Sequence, residues 1–356
     1  MSDSSTDPTP PLEPAEAAET ARVEKEAEKA TEQTTRGWAA VGAGLGHNLG
    51  LVVALALLAV VGLITAGDRF ASVDNVMTIL RLAAVIGVVS IGMTFVITGG
   101  GIDLSVGAIV ALSSVWATTL ATQQMANDVH WLLMVTTALV VGGACGLVNG
   151  LLISYGGIVP FIATLAMLAS ARGLAEILSD RKTQIVSVPG FTDALAGDFL
   201  GVPRLVWIFA VVAVIGWIVL NRTTFGRRTL AVGGNPEAAR LAGIDVRRHT
   251  VLLYVVVGVC CGIAAIMLVS RTTTGSATHG MLYELDAIAA VVIGGTLLSG
   301  GRGTIVGTVF GVLIFTTLSN VFTLNNLSIS AQSVVKGLII VVAVLLQTRL
   351  ARRPSS

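Results

Sequence analysis

From about Leu49 onward the chain is a succession of apolar stretches near twenty residues long, separated by short polar breaks. Stretches such as 49–66 and 205–220 show no alternation of apolar and polar positions. Lipid offers the backbone no hydrogen-bonding partner, so only helices or closed barrels can cross it, and the missing period of two selects helices. The pattern predicts ten spans, at roughly 48–66, 76–98, 103–121, 132–154, 159–178, 205–220, 250–270, 285–298, 304–322 and 332–347. The eighth is short for a crossing, and Gly294-Gly295 offers a break inside it. The expected fold class is all-α: a polytopic membrane protein whose transmembrane domain occupies 47–348.

The flanks read differently. Residues 1–46 are rich in Pro, Ser, Thr and acid, then in Ala, Glu and Lys, with no apolar face to bury. They are expected to form a disordered tail. No apolar segment follows a short basic start, so they do not read as a signal peptide. Residues 349–356 form a short second tail.

The basic residues orient the spans. With the N-terminus inside, Arg22, Lys25, Lys29 and Arg36, the arginines of 221–250, Arg302, and Arg349, Arg352 and Arg353 all fall on the cytoplasmic side. Only Arg69, Arg181, Lys182, Arg204 and Arg271 fall outside. This asymmetry predicts both termini in the cytoplasm and an even number of spans.

Composition agrees with the pattern: 54% of residues are hydrophobic, 12% are charged, and the mean hydropathy is +0.84. Cys145, Cys260 and Cys261 fall in apolar runs, where they act as small hydrophobes; no disulfide framework or metal spacing is present. None of the four lysines sits in a phosphate-cradling Gly-x-x-x-x-Gly-Lys motif, and no metalloprotease or serine-hydrolase motif appears. The chain is therefore expected to be a non-enzyme without a cofactor or metal of its own, and nucleic acid is not an expected partner.

One polar loop, 221–250, interrupts the apolar pattern and carries six arginines. Within it Asn235, Pro236, Glu237, Ala238, Ala239, Arg240, Leu241, Ala242 and Gly243 spell a short capped helix. Asn235 suits the N-cap, Pro236 the first turn, Glu237 the positive end of the dipole, and Gly243 a left-handed stop. Ala238, Ala239 and Leu241 are its small or apolar packing positions. The helix is either a receiver for a partner or a surface turn joining two halves.

A second feature is Gly99 to Gly107. Three glycines end the second span, Asp103 is positioned to cap the third, Ser105 lies in its first turn, and Gly107 permits close helix approach. The segment is either a tight turn with a capping acid or a turn that relays motion. Gly100-Gly101 and Val106-Gly107 recur as Gly300-Gly301 and Val306-Gly307, an echo too short to build on. Other polar groups lie among the spans. Arg172 and Glu176, four apart, can pair on one helix face. Glu284, Asp286, Lys336 and Arg81 either line an outer vestibule or pair locally. Asn149, Phe161, Thr164 and Asn320 are candidates for a solute pathway, with helix–helix hydrogen bonding the alternative for the polar ones.

These segments together resemble the permease subunits of bacterial ABC sugar importers of the ribose type. The resemblance runs over about 48–347. It rests on Gly100-Gly101-Ile102-Asp103-Leu104-Ser105-Val106-Gly107, Pro160 to Leu165, Gly233-Gly234-Asn235 with Ala239, Leu241, Gly243 and Ile244, and Tyr283 to Thr296. The long N-terminal tail is not part of it. The resemblance implies a bacterial cytoplasmic-membrane protein that pairs with a second permease, identical or not. It implies a cytoplasmic ABC ATPase that holds ATP and Mg, and an extracytoplasmic sugar-binding protein. The helix after Asn235 would then be the coupling helix. The alternatives are an ion-coupled secondary transporter, which calls for deep paired carboxylates that the spans lack, and a membrane-embedded enzyme.

Overall fold

The computed structural model describes residues 49–351; the expected tail over 1–46 and residues 352–356 lie outside them. The packed body belongs to Leu51–Ser356, and the other unit, Met1–Gly50, contributes only Leu49 and Gly50 to the described residues.

Seven described helices are long and apolar enough to cross a membrane. They are α1 (Leu49–Ala66), α3 (Val73–Thr98), α6 (Leu132–Ser154), α7 (Pro160–Ser179), α9 (Arg204–Arg222), α12 (Val246–Thr272) and α14 (Ile305–Leu324). Short helices join them: α2 (Asp68–Ala71), α8 (Pro189–Leu195), α10 (Thr224–Gly234) and α11 (Pro236–Leu241).

The third, eighth and tenth expected spans differ from the pattern. The third is two helices, α4 (Val106–Ala117) and α5 (Leu120–Asp128), bent by 55° at Thr118-Thr119. Thr118 turns its hydroxyl back onto the Ser114 carbonyl, and Thr119 caps α5 by accepting from Thr122 N. Counted as one span, the pair raises the described total to eight. The eighth is α13 (Tyr283–Ile293), eleven residues and so about 16 Å long, roughly half a hydrocarbon core. It stops where Gly294-Gly295 leaves the helix. The tenth is α15 (Ile329–Ala351), a continuous helix whose described apolar part is Ile329–Ile339. The protein is thus an all-α polytopic membrane protein with seven to eight spans among the described residues. Among the described residues the only strands are residue pairs: β1 (Gln184–Ile185) with β4 (Thr274–Gly275), and β2 (Asp198–Phe199) with β3 (Val202–Pro203).

Helices α3 and α12 form the centre. Their side chains, Val88, Phe95, Tyr254, Val257 and Ala264 among them, share one core with Ile109, Phe209, Val291 and Ile305. Helices α6 and α12 meet backbone to backbone along Gly142, Gly146 and Gly150 on one and Gly258 and Gly262 on the other. Lipid tails are as apolar as leucine, so close packing rather than water exclusion holds such a pair. Two polar clips tie α3 to α14: Thr94 to Thr308 at 2.8 Å, and reciprocal amides of Asn75 and Asn320 at 3.1 and 2.7 Å. Around this centre α1, α6, α7 and α9 present Leu57, Ile64, Val140, Ile177 and Val211 outward, as lipid-facing surfaces must.

Candidate functional site

The loop 221–250 holds two helices rather than one. The first, α10, buries Gly226, Thr229 and Val232, and the Thr229 hydroxyl meets His249 Nε2 of α12 at 2.9 Å. The second, α11, has the expected caps. The Asn235 side chain accepts from Ala238 N at 3.0 Å, and Glu237 pairs with Arg240 at 3.3 Å. Gly243, at φ +82°, closes the helix while Ile244 N donates to Ala239 O. Asp245 then caps α12 through Arg248 N.

Exposure divides the helix. Ala238, Arg240 and Leu241 face out, Leu241 at 89% exposure. Ala239 is buried within the chain at 4%. This corrects one expectation: the Ala239 methyl packs inward and is not offered to a partner.

The turn after α3 leads into a buried polar contact. Gly101 N donates to Val96 O while Gly100 takes φ +85°, so the three glycines close α3 with a left-handed stop. Asp103 is fully buried and is not the cap of α4; Ser105 occupies that position. Instead Asp103 Oδ1 accepts from Ser105 N at 2.8 Å and from Ser105 Oγ at 2.5 Å. Asn149 of α6 donates to Ser105 Oγ at 3.0 Å, and Tyr254 of α12 donates to Ile102 O at 3.3 Å. Sequence alone offered a tight turn with a capping acid or a turn that relays motion; the structure shows a polar knot against α6 and α12.

The remaining candidates fall in separate contacts. Asn149 belongs to the Asp103 knot. Gly107 lies against the 276–284 segment, where a Cβ on it would stand 2.5 Å from Glu284 Oε2. Phe161 is half-exposed on α7, and the buried Thr164 hydroxyl donates to Pro160 O of its own helix. Asn320 is engaged with Asn75. The expected Arg172–Glu176 pair does not form. Arg172 donates to the Ala277 and His279 carbonyls, and Glu176 pairs with Arg181 at 3.1 Å. Arg81 pairs with Asp198 at 3.5 Å.

Asp286 pairs with Lys336 of α15 at 3.3 Å, and the same ammonium lies 4.8 Å from the Phe315 ring of α14. One lysine therefore clamps α13, α14 and α15 together. Because the pair is mostly buried, removing one partner strands the other charge, at a cost of about 3 kcal/mol. Asp286→Ala is expected to lower the melting midpoint in detergent, and the exchange Asp286→Lys with Lys336→Asp to recover part of the loss. An unshifted midpoint for Asp286→Ala would remove the clamp.

Sequence reading passed over the α6–α12 glycines, although their spacing of four was a usable signal. It also passed over the meeting of the two echoed motifs. Gly301 N donates to Thr98 O at 2.9 Å, so the end of α3 and the 294–304 loop share one end of the body with α10 and α11.

Comparison with known proteins fits this architecture. The family model described as the permease component of branched-chain amino acid transport systems matches residues 75–344. The ribose import permease protein RbsC of Bacillus subtilis is 42% identical over 327 residues, covering 91% of this chain and 99% of the relative. The Escherichia coli K12 ribose import permease is 38% identical, covering 84% and 92%. The L-arabinose ABC transporter permease AraH of Azospirillum brasilense is 38% identical, covering 84% and 87%. No solved structure matches the chain. With a family model matched over 75–344 and relatives of this kind, the chain belongs to the ABC permease-component family as a transmembrane permease subunit of the sugar-importer group.

Proposed function

We propose that this permease is the membrane pathway through which a monosaccharide or related polyol enters a bacterial cell, driven by a separate ATPase. The observation that carries the reading is α11: a capped helix whose Ala238 and Leu241 stand exposed at the arginine-rich end of an otherwise apolar body. Such a helix offers an ATPase groove a rigid apolar contact with a charged rim. The positive-inside rule assigns this end to the cytoplasm of the inner membrane. Counting as crossings α4–α5, α15, and the half-length α13 together with the loop segments that flank it, ten spans bring both termini to that side, and residues 1–46 become a cytoplasmic tail.

On this reading the transport domain is 47–348, with its coupling loop at 221–250. A second permease, of the same or another sequence, lines the pathway opposite this one. A sugar-binding protein delivers substrate at the far end. Residues Gly100, Gly101, Asp103, Ser105 and Gly107 form the turn that moves, and Asn149, Phe161, Thr164, Glu284, Asp286 and Asn320 lie on or near the solute's route. The three named relatives are ribose and L-arabinose permeases, so pentoses are the first solutes to try.

The test is reconstitution. In liposomes, this chain with its ATPase and binding protein should accumulate pentose only when ATP is supplied, with or without an ion gradient. Uphill uptake by the chain alone under an ion gradient would transfer it to the secondary-transporter class.

A further inference from the structure

Three backbone segments distant in sequence converge at the base of α11. Gly233 is the penultimate residue of α10, two positions before the Asn235 cap. It lies so close to the end of α3 that a Cβ on it would overlap the Thr98 carbonyl oxygen and stand 2.6 Å from Gly301 N. From the other side, a Cβ on Gly300 would stand 2.7 Å from Gly233 O and 2.9 Å from Gly100 Cα. One on Gly303 would overlap the Thr98 hydroxyl. The Gly301 N–H to Thr98 O bond ties the two outer segments together. The two glycine motifs that echo one another in sequence thus clasp Gly233 between them, with no side chain interposed.

The junction is solid on one side and open on the other. A cavity of about 170 Å³ lies beside it, bounded by Val96, Gly101, Val232, Pro236, Leu253 and Tyr254. Close-packed backbone transmits a displacement, whereas a void absorbs it. A push on α11 therefore reaches α3 and the 294–304 loop through Gly233, while the cavity leaves α11 room to tilt.

We infer that Gly233 is a positioning residue: it hands the displacement of α11 at once to the C-terminal end of α3 and to the loop between α13 and α14. The inference rests on the coupling role proposed for α11 and adds the route by which the motion enters the helix body. That route leads into two helices packed on each other, α3 and α14. Helix α3 runs directly into the Asp103 knot, and the 294–304 loop carries the N-terminal end of α14.

The test uses the complete transporter in liposomes, with ATP hydrolysis and pentose uptake measured on the same preparation. Gly233→Ala is expected to retain the ATPase and hydrolyse ATP while uptake falls at least tenfold, so that more ATP is spent per sugar. A merely structural defect would lower both in proportion. Gly234→Ala is the neighbour control, because its Cβ would meet only Gly301 Cα at 3.9 Å. It should keep uptake within twofold. Wild-type uptake by Gly233→Ala overturns the inference, and if Leu241→Asp is defective in the same assay the coupling role of α11 survives. Wild-type uptake by both variants removes both ideas.

Should Gly233→Ala fail to accumulate, spin labels at the exposed positions Arg227 and Arg302 replace it. Their separation should stay constant between nucleotide-free and ATP-analogue-bound complexes. A change of several ångströms would show that α10 and the 294–304 loop do not move as one body.

Discussion

Leu241→Asp is expected to leave the permease inserted and folded but to cut sugar uptake more than about tenfold and to release the ATPase on purification. Leu241 makes almost no contact within its own chain, being 89% exposed on the last turn of α11. Changing it therefore costs the isolated subunit little. At an interface the balance reverses. Burying a leucine contributes roughly 1.5–3 kcal/mol, and an aspartate in its position adds an unpaired charge to a desolvated contact. Each 1.4 kcal/mol is about a factor of ten in affinity, so the transport complex should weaken by one to two orders of magnitude. Co-purification measures the association, and uptake in the same liposomes measures its consequence. Ala239→Asp cannot serve the same purpose. With Ala239 buried and Ile244 N bonded to its carbonyl, an acid there would disrupt the loop from within and lower uptake whether or not the helix docks. An ATPase that stays bound to Leu241→Asp, with uptake intact, would mean that α11 is only a connector.

Most of the membrane body was legible as hydrophobic run length, because a span of lipid demands about twenty apolar residues whatever the partners. The first span was expected at 48–66 and is helical over Leu49–Ala66; the ninth was expected at 304–322 and is helical over Ile305–Leu324. The caps of α11 were legible for a similar reason. Asn235, Pro236 and Gly243 act on their own backbone neighbours, and local chemistry is written in local sequence. The misreadings lie where tertiary contacts decide. Run length could not reveal that Thr118 and Thr119 bend the third span, since each threonine chooses among carbonyls that only the fold presents. Asp103 reads as a cap from its position before a helix, and only the arrival of Asn149 and Tyr254 from other helices turns it into a buried knot. Ala239 and Leu241 look equivalent in a six-residue helix; which one faces inward depends on how the helix lies against the rest of the body.

The largest loss of stability should come from Gly258→Leu, at the contact between α6 and α12. A Cβ on Gly258 would overlap the Gly142 carbonyl, and one on Gly142 would overlap the Gly258 carbonyl. One turn away, a Cβ on Gly146 would overlap the Tyr254 carbonyl. The two backbones touch over several turns, so no rotamer of a larger side chain fits and the helices must separate. Separation is costly because α12 carries the centre of the core: Val257, Cys261, Ala264 and Leu268 all pack inward from it. Overpacking of a tight core already costs about 1–3 kcal/mol; a substitution that parts two backbones belongs to the tail beyond about 4 kcal/mol. Gly258→Leu should therefore fail to accumulate as a monodisperse species in detergent chromatography. Gly143→Ala separates this effect from glycine replacement in general. It lies one residue from the seam, where a Cβ makes an ordinary 3.4 Å contact with Val259 Cγ2. Alanine at that helical position should be neutral or stabilising by about 0.5–1 kcal/mol. If Gly258→Leu instead accumulates and melts with the wild type, α6 and α12 do not meet at these glycines, and the centre of the fold must be drawn differently.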